Sequence, residues 1–396
     1  MVTEKNLSRP PLAARLKSIP PFRVMDIVEK ANRMELSGND VIRLEVGEPN
    51  FATPELVTLA AKEALDLSYT RYTDSRGIRP LREAISCFLS QRHRCEIKPE
   101  RIQITQGSSA ALFLAFSACL ESNDVVLMSD PGYPCNSRFV EAAGGIVKRL
   151  NTDIRNRFHP TQRQVSEAFE EQFNKALLLA HPANPTGYCL PKELLKILIN
   201  DCKAKQSHLI IDEIYSDLVF EDYVSSLFLG CDHWVIGSFS KNFNMSGWRL
   251  GWLIMPDWAV EKTNRLAQHL FICPSSISQY AALACFESKT LHSLELNRLE
   301  LKKRRDFFVP ALSELGFETH GLPDGAFYVF ADASKFTNDS KLFCEKVLSE
   351  AKVSLTPGID FSNSLPPTWI RFAFTQPIFR LNEALIRLRK FLNANL

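Results

Sequence analysis

The stretch Trp234-Val235-Ile236-Gly237-Ser238-Phe239-Ser240-Lys241 reads as an apolar strand that runs out into a turn of small residues carrying a lysine. A second such run, Leu209-Ile210-Ile211-Asp212-Glu213, ends in a carboxylate, and Arg249 follows Lys241 within the next segment. Open α/β sheets hold ligands at the carboxyl ends of their strands, where Lys241 and Asp212 both fall. Most lysines are solvated surface charges, and a carboxylate at a strand end can be a simple cap. The neighbouring segments decide between these readings.

Working outward, Arg101–Thr105, Asp124–Met128, Ile146–Leu150, Ala176–Ala180 and Leu250–Met255 are further strand-length apolar runs. Helical patterns separate most of them: Leu81, Ile85, Phe88 and Leu89 fall on one helix face, and Ala110–Leu120 and Pro191–Lys203 read as helices. Thr53-Pro54 reads as the N-cap and first residue of a helix running to about Asp66. Near-continuous apolar strands joined by helical crossovers predict an α/β fold with a mostly parallel sheet covered on both faces. From about Trp258 to Leu315 the pattern is helical. After it come a strand (327–331), a helix (340–352), a strand (369–374) and a helix (377–393), which predict a second, smaller α+β domain. The expected boundaries are 46–290 for the large domain, with 1–45 and 291–396 forming the small one.

Composition narrows the function. Of 396 residues, 47 are Lys or Arg and 45 are Asp or Glu, a net charge of +2 with no basic tract to suggest nucleic acid or an anionic membrane surface. The ten cysteines lie singly, with no Cys-x-x-Cys, so neither a zinc site nor a redox pair is signalled, and a cytoplasmic setting is expected. Residues 1–21 have no apolar segment of secretory type, and no run approaches the ~20 apolar residues of a membrane helix.

The chemistry-bearing residues match the needs of one cofactor, pyridoxal 5′-phosphate: a lysine for a Schiff base, an anion for the pyridinium nitrogen, donors for a phosphate and an arginine for a substrate carboxylate. Lys241 and Asp212 supply the first two. Gly107-Ser108-Ser109, at a strand-to-helix turn, offers hydroxyls and a helix N-terminus to an anion, with Ser238 and Ser240 beside the lysine. His181-Pro182-Ala183-Asn184-Pro185-Thr186-Gly187 presents an amide between two prolines, although Asn-Pro and Thr-Gly also mark ordinary turns. No Gly-x-Gly-x-x-Gly and no Gly-x-x-x-x-Gly-Lys-[Ser/Thr] occurs, so dinucleotides and nucleoside triphosphates lack their usual cradles.

These segments, in order, resemble a class I/II aminotransferase of pyridoxal-phosphate fold-type I, of the bacterial aspartate- and aromatic-type subgroup. The resemblance runs through Val46-Gly47-Glu48-Pro49-Asn50-Phe51, Tyr72 with Gly77–Ala84, and Pro131-Gly132-Tyr133-Pro134. It continues through Asn184–Gly187, Asp212-Glu213-Ile214-Tyr215, Ser238–Lys241, Gly247–Gly251 and Ile370-Arg371-Phe372-Ala373. It implies a large domain with a mostly parallel seven-stranded sheet covered by helices, and transfer of an L-amino acid's amino group to a 2-oxo acid, with 2-oxoglutarate the expected acceptor. It also implies a homodimer with shared active sites.

The same resemblance implies that Lys241 carries the cofactor and shuttles the proton. Asp212 would pair with the pyridinium, Asn184 and Tyr215 would hold the ring's 3-oxygen, and Tyr133 would stack on the ring. Ser108, Ser109, Ser238 and Arg249 would grip the phosphate, joined by Tyr72 from a second subunit. Arg371 would clamp the substrate carboxylate near Gly47 and Asn184. Ser109 stands where some aspartate-specific members have a lysine, which weakens an aspartate reading. A carbon–sulfur lyase of the same fold is the nearest alternative, disfavoured by Tyr215 where such lyases more often carry histidine. A transcription regulator borrowing the fold is disfavoured because no recognition helix is evident.

Overall fold

The computed structural model describes residues 12–13, 15–16, 19–21 and 23–395. Of the segment 1–45 expected to lead the small domain, residues 1–11, 14, 17, 18 and 22 therefore lie outside the described residues.

The central sheet is built from β2 (Ile102–Thr105), β3 (Val125–Asp130), β4 (Ile146–Asn151), β5 (Ala176–Ala180), β6 (His208–Asp212), β7 (Trp234–Ser238) and β8 (Gly251–Ile254). The element before them, β1 (Ile42–Arg43), belongs elsewhere. The seven strands run in the order β2-β8-β7-β6-β5-β3-β4, and only β8 is antiparallel to its neighbours. The strands' unbroken apolar character follows from burial on both faces. Leu178, Ile210 and Ile236 join a core with α4 (Gly107–Cys119), whereas Leu177, Leu179, Leu209 and Ile211 face α6 (Gln162–Glu171) and α7 (Lys192–Ala204). Burying each such side chain contributes about 2 kcal/mol.

Helices α1 (Arg23–Leu36), α2 (Glu55–Asp66), α3 (Arg79–His93) and α5 (Pro134–Ala142) precede or interleave these strands; α8 (Val260–Phe271), α9 (Ser276–Leu283) and the long α10 (Ser288–Leu315) follow. A smaller antiparallel sheet, ordered β11-β12-β9, is formed by β9 (Tyr328–Asp332), β11 (Thr356–Pro357) and β12 (Trp369–Ala373). Between them lie α11 (Ser340–Lys346) and β10 (Val353–Ser354), which pairs in parallel with β1; α12 (Ile378–Asn395) closes the chain. Ile370 and Phe372 of β12 enter a core shared with α1, α10 and α12, which turns Arg371 to the opposite face.

Two local expectations change. Thr53 does not cap α2: Pro54 holds the N-cap position without a side-chain bond, because the Thr53 hydroxyl donates to the Asn244 carbonyl and accepts from Trp248 Nε1. The helix expected from Ala110 begins at Gly107, which places Ser108 and Ser109 inside its first turn.

Candidate active site

The carboxyl ends of β5, β6 and β7, the N-terminus of α4 and the inner face of β9 and β12 surround a cavity of about 790 Å³. Ten of the residues singled out from the sequence line it: Gly47, Ser108, Ser109, Tyr133, Asn184, Asp212, Tyr215, Lys241, Arg249 and Arg371. They come from segments scattered over most of the chain, and parallel strand ends bring them together.

Lys241, half-buried just past β7, donates from Nζ to the Gly47 carbonyl at 2.7 Å. Burial brings its ammonium down to about 8, with Arg371 and Arg249 pushing the same way against Glu48 and Asp212. Asp212 ends β6 almost fully buried, and its carboxylate accepts one backbone N–H, from Ile214 at 3.2 Å. Burial pushes this carboxyl up to about 7; the Ile214 N–H and Lys241 pull it down, while Glu213 adds to the rise. The adjacent Glu213 is also buried but accepts from Ser225 Oγ at 2.6 Å and from Ser226 N and Oγ at 2.8 and 2.6 Å. Neighbouring carboxylates thus differ: one is satisfied by the fold, and the other faces the cavity with little support.

At the far end lies a corner whose donors suit an anion. Gly107 opens α4 with φ +73°, and a Cβ there would sit 2.7 Å from Arg249 Nη2. The absent side chain is what lets the guanidinium reach the helix N-terminus. Arg249 is held by a bond from Nη1 to the Ser246 carbonyl at 2.9 Å. Ser108, Ser109, Ser240 and Ser246 also line the cavity. Ser238 does not line it: its hydroxyl accepts the Ser240 N–H at 3.1 Å and braces the turn that carries Lys241.

Arg371 is buried and sandwiched, its Cζ 4.2 Å from the Tyr328 ring centroid and 4.8 Å from that of Phe361. Nη2 donates to the Glu45 carbonyl at 2.7 Å and to Thr356 Oγ1 at 3.3 Å, and Nη1 donates to Asn184 Oδ1 at 3.0 Å. Its buried Nε has no partner in the protein. Because the Asn184 oxygen accepts from Arg371, its amide N–H groups are the donors left for the cavity. The loop carrying Asn184 is tied down by His181, which donates its backbone N–H to the Asp212 carbonyl at 2.8 Å, and whose Nδ1 accepts the Leu190 N–H at 2.9 Å. The Tyr215 hydroxyl lies 3.1 Å from that of Tyr328. Tyr72 is 82% exposed and does not line the cavity within its own chain.

Sequence reasoning missed Tyr328, Phe361, Glu45, Val24 and Val28. Tyr328 sits in a segment legible only as a buried strand, and Phe361 follows a short turn. No spacing in the chain signals that either ring would flank Arg371.

These residues fit pyridoxal 5′-phosphate. A buried carboxylate lacking a cation within hydrogen-bond distance suits a pyridinium N–H, and a helix N-terminus with an arginine pressed against a glycine suits a phosphate. Among the described residues no group of His, Cys, Asp or Glu could hold a metal ion.

A family model described as "Aminotransferase class I and II" matches residues 39–387. The chain is 35% identical to the valine–pyruvate aminotransferase of Mycobacterium tuberculosis, over 94% of this chain and 97% of that protein. It is also 35% identical to the aspartate aminotransferase of Thermotoga maritima, over 97% of this chain and 100% of that one. A crystal structure of an aminotransferase from M. tuberculosis superposes with a TM-score of 0.93 at 34% identity, covering 98% of this chain and 100% of that chain. These names lend no support to the lyase or to the regulator.

Proposed function

This chain belongs to the class I and II aminotransferases, enzymes of fold-type I that transfer amino groups with pyridoxal 5′-phosphate, and we propose that its donor is an apolar or aromatic L-amino acid. The observation that carries this reading is the lining of the cavity. Val24, Val28, Leu112, Phe139 and Ile214 give it apolar walls, and its cationic side chains are Lys241, Arg249 and Arg371. Each of those three has a task in the reading that follows, so among the described residues the lining holds no further cation for the distal carboxylate of aspartate. An unpaired carboxylate entering a partly dry site costs more than an apolar side chain does. The relative named valine–pyruvate aminotransferase supports the same direction.

Bound pyridoxal phosphate supplies an aldehyde that condenses with amines and a ring that accepts the electron pair left when a Cα–H bond breaks. In this reading Lys241 would hold the cofactor at Nζ, and as a free amine it would take the Cα proton of a bound amino acid. Its lowered pKa, about 8, keeps a useful neutral fraction near neutral pH. Asp212 would pair with the protonated ring nitrogen, and that cation would bring its carboxyl down from about 7 to the charged form. Arg249, the first turn of α4, Ser108, Ser109 and Ser240 would orient the phosphate, with Ser238 bracing the turn that carries Ser240 and Lys241. Tyr133, Asn184 and Tyr215, which line the same cavity, would hold the ring, the last two through its 3-oxygen. Arg371 takes the substrate carboxylate, its fork set by Tyr328, Phe361 and the Glu45 carbonyl, with Gly47 alongside. A 2-oxo acid, 2-oxoglutarate or pyruvate, accepts the amino group in the second half-reaction.

The working unit in this proposal is a homodimer. Tyr72 projects from a stretch where Leu65, Leu67 and Tyr69 are also more than 40% exposed, an apolar surface suited to a second copy whose site Tyr72 would reach. β9–β12, α10 to α12 and α1 make up the smaller domain, here taken as 1–45 and 291–396, beside a large domain of 46–290. A cytoplasmic setting is read from ten cysteines that are all free thiols. Among the described residues no helix is long and apolar enough to cross a membrane.

A panel of amino-acid donors against 2-oxoglutarate and pyruvate, with products identified by mass, tests the substrate class. At least one of valine, leucine, methionine or phenylalanine should match or exceed aspartate in kcat/KM. Aspartate ahead of all of them by about a hundredfold would overturn the reading.

A further inference from the structure

We propose that Asp360 governs donor side-chain selectivity from outside the cavity, by capping helix α1 and thereby fixing the wall that Val24 and Val28 present to the substrate. The proposal rests on the aminotransferase reading of the cavity above and adds a positioning residue that does not line it.

Helix α1 takes its cap from the other end of the chain. The backbone N–H groups of Arg23 and Val24 donate to Oδ1 and Oδ2 of Asp360 at 3.3 and 2.8 Å. The Asp360 side chain is only 2% exposed, and Arg23 Nη1 lies 3.7 Å from Oδ1. A buried carboxylate that engages two of the first N–H groups, one on each oxygen, holds both the position and the direction of a helix start. Val24 and Val28, four residues apart, share the face of α1 that lines the cavity, and Met25 lines it too. The wall is therefore the first turn and a half of α1, the part whose position the cap decides.

The cap belongs to the same short turn that supports Arg371. Phe361, the next residue, lays its ring 4.8 Å from the Arg371 guanidinium, and its carbonyl accepts the Gly132 N–H at 2.9 Å beside Tyr133. Gly358 begins this turn pressed against β12: a Cβ there would lie 2.4 Å from the Trp369 carbonyl oxygen. Two consecutive residues, Asp360 and Phe361, thus tie the α1 wall and the carboxylate grip to one rigid point. A donor held at Arg371 by its carboxylate meets an apolar wall at a set distance. Loosening the cap should penalise donors in proportion to how much side chain they place against that wall.

The test uses the holoenzyme and three donors, alanine, leucine and phenylalanine, with Asp360→Ala, Asp360→Asn and Val28→Ala. Asp360→Ala should raise KM for leucine and phenylalanine about tenfold or more, move KM for alanine less than about twofold, and leave kcat within about threefold. Asp360→Asn keeps one acceptor and should fall between. Val28→Ala should reproduce the selective rise, and should add little in the Asp360→Ala background because both remove the same wall. Hydrogen exchange of the 23–36 segment, measured with and without cofactor, should lose protection in Asp360→Ala. Equal loss for all three donors, unchanged selectivity, or unchanged exchange in α1 would overturn the proposal. If Asp360→Ala does not fold, Asp360→Asn and its combination with Val28→Ala decide by the same criteria. A wild-type enzyme that strongly prefers aspartate would defeat the substrate reading alone, because the α1 exchange and the donor dependence still judge Asp360.

Discussion

Gly107 and Arg249 share one small volume: a Cβ on Gly107 would come within 2.7 Å of Arg249 Nη2, at a backbone φ of +73° that side chains rarely adopt. The arginine therefore reaches the N-terminus of α4 because the residue that opens the helix has no side chain. Gly107→Ala should displace the guanidinium and strain the turn together. Pyridoxal phosphate affinity, followed by fluorescence titration, should fall by at least about tenfold, the scale of one charge-assisted hydrogen bond. Unaltered affinity would show that Arg249 does not need this approach.

The low pKa of Lys241 has a direct readout. Capture of pyridoxal phosphate by cofactor-free protein should accelerate with pH below about 8 and level off above it, because the free amine is the reacting form. Borohydride reduction followed by peptide mapping should locate the pyridoxyl group on Lys241. Glu48 raises this pKa and Arg371 lowers it, so Glu48→Gln should move the inflection down and Arg371→Met should move it up. Shifts in the opposite sense would show that these charges do not act on Nζ.

Asp212 makes the cofactor-free protein pH-sensitive in a definite direction. Its folded carboxyl, at about 7, stands above the ordinary 3.8, so between these values the native state holds a proton that the unfolded state has lost. Its contribution is therefore fully present below about pH 4, declines as pH rises to about 7, and is flat above. The difference between wild type and Asp212→Asn in denaturant unfolding should follow this course, with a total span of at most about 4 kcal/mol. Saturating cofactor should remove much of the trend by giving the carboxylate a cationic partner.

Arg371 should be needed by every donor, since all present the same carboxylate. Arg371→Lys keeps the charge but loses the planar fork and the packing between Tyr328 and Phe361. Donor KM should rise about ten- to a hundredfold across the whole panel, in contrast to the donor-selective effect at Asp360. A rise confined to bulky donors would place Arg371 elsewhere in the mechanism.

Tyr72 tests the assembly. Sedimentation should show a dimer at assay concentration, and Tyr72→Phe should weaken cofactor affinity more than it changes the chemical step. A fully active monomer would overturn the shared-site proposal.

Much of the candidate site was readable before the fold. Lys241, Asp212, Ser108, Asn184 and Arg249 each lie at a strand end or helix start that the local pattern marks, and strand ends in a parallel sheet converge. Ser238 shows where such reading stops: its hydroxyl could serve a ligand or the turn, and in the structure it accepts the Ser240 N–H. Thr53 is similar, a good capping residue in isolation, drawn instead to the Asn244 carbonyl and the Trp248 indole. Side chains with several possible hydrogen-bond partners choose by proximity, which local sequence does not encode.

The α/β architecture is legible in apolar strands alternating with amphipathic helices, and the kind of chemistry in short motifs whose residues stay close along the chain. The packing of Tyr328 and Phe361 on Arg371, the proposed grip for the substrate carboxylate, and the distant carboxylate that caps the first helix become visible only in the folded chain. Periodicity and turn signals act over a few residues. Arg371 reaches the Glu45 carbonyl and Asp360 reaches the start of α1 across more than 300 residues, and even Tyr328 and Phe361 come to flank Arg371 only once the chain has folded.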